Sequence, residues 1–162
     1  MILVNTIIKL IKGGNIMNTV QNELNILDEI NKGATMGIDA IKDIKPKVQD
    51  RIFLNVLDTE EDKYCRISSR VDEVYKKFSI KEPHEPSKME QAMASMGIEM
   101  RTLTDDTTSK LAELLVKGTN MGIIEGRRLL NHNPNTSSEV HALLEEFVTM
   151  QEDSVETLKK YL

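Results

Sequence analysis

"KGATMGI" (residues 32–38) sits in a stretch whose apolar spacing is otherwise helical, and it returns as "KGTNMGI" (residues 117–123). A glycine inside a helix costs about 1 kcal/mol against alanine. Two glycines four residues apart, written twice in one chain, therefore ask for a steric reason. The phosphate-loop reading fails, because no strand precedes either phrase and neither has the G-x-x-x-x-G-K-S/T order. Close packing remains: Gly33 with Gly37, and Gly118 with Gly122, are expected to form small faces that let the first and third helices approach.

Working outward, Leu24, Leu27, Ile30, Ile38, Ile41 and Ile44 predict a helix over 18–45, limited by Pro46. Phe53, Leu57, Glu60, Tyr64, Ile67, Val71, Val74 and Phe78 alternate four and three apart and predict a second helix over 48–78. "KEPHEPS" (81–87) breaks the chain with Pro83 and Pro86. A long third helix is predicted over 87–131, with a kink near "TLTDDTTS", where Asp105, Asp106, Thr107 and Thr108 can cap a restart. Ser137 or Ser138 caps a fourth helix over 139–162, striped by Leu144, Val148, Gln151, Val155, Leu158 and Leu162.

The two halves align. An offset of 85 lays Ile26, Ile30, Gly33, Met36, Gly37 and Ile38 on Leu111, Leu115, Gly118, Met121, Gly122 and Ile123. An offset of 91 lays Phe53, Leu57, Glu60, Tyr64 and Ile67 on Leu144, Val148, Gln151, Val155 and Leu158. The expected fold is all-α: an antiparallel four-helix bundle of two pseudo-repeated hairpins, 18–78 and 88–162, joined by a linker at 79–87.

This architecture resembles the ferritin-like superfamily over nearly all of residues 17–162. The resemblance implies a di-iron centre, with one Glu each from helices one and three and Glu-x-x-His from helices two and four. Here the first pair of positions carries Ala34 or Thr35 and Thr119 or Asn120, and the motifs read Glu60-x-x-Lys63 and Gln151-x-x-Ser154. Neither motif contains a His, so no metal, no cofactor and no enzymatic activity are expected. Glu60 and Gln151 lie at equivalent places on apolar seams. They read either as a buried hydrogen-bonded pair or, at Glu60, as the remnant of a metal site. The phrases "MEQAMASMGIEMRTLTDDTTSKLAELLVKGTNMGIIEG" and "LEEFVTMQEDSVETLKKYL" also resemble a family of short cytosolic proteins of Firmicutes. Those motifs are structural, and they imply the fold rather than an activity.

Met89, Met93, Met96, Met100 and Leu103 form a further four-three stripe, read as a core seam or an interface, with a dimer as the natural partner. The 162 residues carry a net charge of −5 with both signs interspersed, and no basic stripe to neutralise phosphates, so nucleic acid is not an expected partner. No apolar run reaches the ~18 residues that span a membrane. The lone Cys65, expected to be packed and inert, suits a cytoplasmic protein. Residues 1–16 are read as a mis-assigned start or a disordered tail, with a surface-lying amphipathic segment as the alternative. "KGGN" is what a ribosome-binding sequence spells when translated just ahead of Met17. The functional expectation is a non-enzymatic bundle that acts by protein interaction or self-association. The alternatives are a metal-binding protein built on Glu60 and a carrier of a small apolar ligand.

Overall fold

The computed structural model describes the backbone of residues 2–79 and 82–162, and their side chains from Met17 onward except that of Met96. The expectations for residues 1–16 and for Met96 fall outside the described side chains. The chain is all-α, and no strand occurs among the described residues. Five helices follow one another: α1 (Ile2–Ile44), α2 (Arg51–Tyr75), α3 (Lys88–Thr102), α4 (Thr108–His132) and α5 (Ser138–Leu158). Single 3-10 turns sit at Lys45–Lys47 and Lys159–Tyr161.

Local chemistry starts the helices. Asp50 accepts from the backbone N–H of Ile52 at 2.7 Å and of Phe53 at 3.2 Å, which closes the exposed end of α2. Ser87 and Glu90 form a reciprocal capping box at the start of α3. Thr107 caps α4, and it is itself held by Asp105, whose carboxylate accepts from both the Thr107 N–H and its hydroxyl. Ser137, rather than Ser138, caps α5. The long third helix expected from sequence is thus two helices, broken at residues 103–107 where aspartates and threonines satisfy the backbone better as caps than as helix.

Directions follow from contacts between ends. Lys45, past the end of α1, bonds Asp58 at 2.5 Å and Glu61 at 2.8 Å on α2, so these two helices run antiparallel. Those carboxylates, Asp58 foremost, hold the Lys45 ammonium well above its ordinary pKa. Lys77, past the end of α2, bonds Glu139 in the first turn of α5, and Glu23 on α1 accepts from Ser137 N–H at 2.6 Å and its hydroxyl at 3.0 Å. Phe53 at the other end of α2 meets Tyr161 with ring centroids 4.7 Å apart. Helices α2 and α5 are therefore antiparallel, and α4 returns against α1. The connection from α2 to α4 travels the length of the molecule. It is pinned first to α1 at His84 and last to the 3-10 turn after α1 by Lys47–Glu99 at 2.9 Å. Helix α3 lies within that crossover, along α1, rather than extending the second hairpin as expected.

The apolar stripes of α1, α2, α4 and α5 meet in one core that includes Leu27, Ile30, Phe53, Leu57, Leu111 and Leu144. Each such side chain removed from water contributes about 1.5–3 kcal/mol against conformational entropy. Pro86 is buried in the crossover. Cys65, expected to be packed, is exposed. No described helix is long and apolar enough to cross a membrane.

Candidate functional site

Midway along α2, Glu60 occupies a seam position and is only 2 % exposed. A carboxylate so placed needs partners, because desolvating an unpaired charge costs several kcal/mol. One turn on, Lys63 brings its ammonium to 2.7 Å from Glu60 Oε1. The Lys63 stem runs out of the core and leaves the side chain 24 % exposed, so the pair is wet at one end only. From α5, the Ser154 hydroxyl reaches Glu60 Oε2 in a short contact, and it also lies 2.9 Å from the Met150 carbonyl. A hydroxyl has one proton, so it donates to one of these at a time. Both Glu60 oxygens are thus engaged by the protein itself.

The Glu60–Gln151 hydrogen bond expected from the seams does not form. Gln151 is equally buried, but its Oε1 has no hydrogen-bond partner, and its amide packs instead against Gly122. Beside it stands Tyr64, whose hydroxyl lies among Thr119 and Gln151. Burial pushes the Tyr64 phenol above its ordinary pKa; the Thr119 and Gln151 contacts work against that shift, while the Glu60 charge adds to it.

The glycines act differently from the expected helix-to-helix approach. A Cβ on Gly37 would lie 2.6 Å from the Tyr64 ring, and one on Gly33 would lie 2.8 Å from the tip of Phe147. Gly122 makes the same room for Gln151, and Gly126, which the sequence reading passed over, makes it for Val148. Each is a socket for a side chain from α2 or α5. Gly118 is a correction: it is exposed, and nothing lies within 4 Å of where its Cβ would be. The helical repeat turns Gly118 to solvent because the buried side of α4 runs through Leu111, Leu115, Thr119 and Gly126.

The donor set does not fit a di-metal centre. Ala34 and Thr119, where the ferritin-like pattern would carry carboxylates, are both buried but offer a methyl group and a hydroxyl. Lys63 and Ser154 stand where histidines would, and an ammonium on the one carboxylate opposes a cation. Among the described residues no three of His, Cys, Asp or Glu gather to hold a metal. The Tyr64 ring and the Gln151 amide fill the sockets at Gly37 and Gly122, so no open apolar chamber lies there for a carried ligand. A groove of about 520 Å³ lies at one end, lined by Asn25, Asp28, Lys32, His84 and Asn133 among others.

Two further features come only from the tertiary fold. Asp28 on α1 accepts from the His84 backbone N–H at 2.8 Å and lies 2.7 Å from its ring Nδ1, while the Asn31 amide donates to the His84 carbonyl at 3.1 Å. These bonds strap the crossover onto α1. Beyond the strap, α3 turns Gln91, Ser95, Ile98 and Thr102 inward and leaves Met89 68 %, Met93 65 %, Met100 67 % and Leu103 78 % exposed. These four side chains are not core. Sequence spacing marked these methionines as one face, but which way that face points is set by how α3 lies on α1. Comparison with protein-family models, with curated proteins and with solved structures gives no match.

Proposed function

We propose that α1, α2, α4 and α5 form an antiparallel four-helix bundle of ferritin-like topology, and that the protein works by protein contact rather than by catalysis. In support, several positions related by the two offsets share their environment, although Gly33 and Gly118 do not. Ile26 and Leu111, Ile30 and Leu115, Leu57 and Val148, Glu60 and Gln151, and Ile67 and Leu158 are buried, while Met36 and Met121 are exposed. The up-down-down-up order with one long crossover also suits that topology. The reading of a cytoplasmic protein rests on its single cysteine.

The observation that carries the contact reading is the outward face of α3. Three methionines there, with Leu103 just past the end of the helix, are about two-thirds exposed or more, on a helix whose inward face is mostly polar. Contiguous apolar surface of this kind marks interaction sites, and methionine is the residue type that adapts to a partner. The interior, in contrast, is closed by its own side chains and offers neither reacting groups nor room.

The test is elemental analysis of the chain purified without chelator, beside its Glu60→Ala variant. Contact without a metal centre predicts iron, manganese and zinc far below stoichiometric in both. Near-stoichiometric metal that disappears in Glu60→Ala would replace this reading with a metal-binding one.

A further inference from the structure

The α3 face has a shape and a charge pattern that suit one particular occupant. We infer that it pairs with α3 of a second copy of this chain, antiparallel, about a two-fold axis at position 96; this rests on the contact reading above. The stripe is symmetric about that point to within one residue. A dyad there sets Met89 against Leu103 of the other copy and Met93 within one residue of Met100, so these four apolar side chains meet their counterparts.

The flanking charges select the direction. On the 3.6-residue repeat, Glu90 and Arg101 fall on the same flank of the stripe, and mirroring about position 96 brings them within one residue of each other. Both are exposed. Antiparallel pairing makes this flank face itself and brings Glu90 of each copy next to Arg101 of the other. The capping box uses Glu90 Oε2 for the Ser87 N–H, which leaves the carboxylate charge in place.

Gly97 lies inside α3 beside the stripe, and among the described residues nothing comes within 4 Å of where its Cβ would be, so that flank is open to a partner. The area is also sufficient. The exposed parts of Met89, Met93, Met100 and Leu103 amount to roughly 500 Å² per copy, so a pair buries on the order of 1,000 Å², near the lower bound for a specific interface. The α3 surface facing α1 lies on the opposite side of the helix, so pairing requires no rearrangement of either copy.

Sedimentation equilibrium on the full chain tests this, with helicity followed by circular dichroism. The expected result is a monomer–dimer equilibrium with a dissociation constant on the order of 1–100 µM. Met93→Glu with Met100→Glu should abolish the dimer at unchanged helicity. Arg101→Glu should weaken it about tenfold, and adding Glu90→Arg should restore it to within about threefold. That recovery cannot come from a better-folded α3, since Glu90→Arg also removes half of the capping box. A wild-type monomer, a dimer indifferent to the methionine changes, or a charge pair that fails to rescue would each overturn the pairing. A metal-free monomer sinks the pairing and leaves the contact reading, whereas stoichiometric metal on Glu60 sinks the contact reading whatever the oligomeric state.

Discussion

Replacing Gly37 by alanine and Gly118 by alanine should shift stability in opposite directions, although the repeated phrase sets both glycines in the same motif. At Gly118 the new methyl group meets nothing within 4 Å. Its effect is helix propensity alone, a gain of about 1 kcal/mol, or roughly 2–4 °C in Tm for a chain of this size. At Gly37 the same methyl group lands 2.6, 2.7 and 2.8 Å from three atoms of the Tyr64 ring. An ordinary carbon contact needs about 3.5–4.0 Å, so the ring has to move by roughly 1 Å. It is 4 % exposed and its hydroxyl lies among Thr119 and Gln151. Overpacking of this kind costs about 1–3 kcal/mol. After the propensity gain, Gly37→Ala should be destabilising by up to about 2 kcal/mol, and the two variants should differ by about 1–3 kcal/mol. Urea unfolding followed at 222 nm measures both at unchanged m-value. Stabilisation by both substitutions would mean that the Tyr64 ring does not fill the Gly37 socket, and the account of the interior would fail.

Lys63→Met should cost about 3–5 kcal/mol in urea unfolding, because it leaves the Glu60 carboxylate buried and unpaired; Glu60→Gln should cost clearly less, since the amide keeps a bond to Ser154 and Lys63 reaches solvent. Equal costs would contradict this polarity. Asp39, half-buried and followed by Asp43, has its pKa raised, first by burial. A raised carboxyl favours the folded state only while protonated, and that stability is lost as pH rises through the folded pKa. Asp39→Asn should therefore raise Tm at pH 7, with the gain vanishing in acid. Glu90 runs the other way: the Ser87 hydrogen bonds hold its pKa below the ordinary 4.5, so its contribution is present above that value and lost as pH falls through the lower folded pKa. Amide exchange in the first turn of α3 should accelerate across that acid window before the core helices respond. Asp28→Ala removes both bonds to His84 and should raise exchange in the crossover and α3 while leaving α4 and α5 protected.

Much of this protein is written locally. The four-three stripes of α2 and α5 predict helices and their buried sides, because that periodicity is set by 3.6 residues per turn whatever the surroundings. Asp105, Thr107 and Ser137 announce where helices begin, because a cap is a bond across two or three residues. The absence of Glu-x-x-His is likewise a matter of reading residues in order. What the tertiary structure decided depends on residues far apart in the chain. Ser154 rather than Gln151 bonds Glu60 across 94 residues, and Asp28 takes the crossover at His84 across 56. Gly37 is a socket and Gly118 is bare, although both stand in the same motif, because the necessity of a glycine lies in the side chain that faces it. The methionine stripe of α3 makes the same point at larger scale. Periodicity specifies that a face exists, but the rotation of the helix on its neighbour decides whether core or solvent lies over it, and here that rotation turned the apolar face outward.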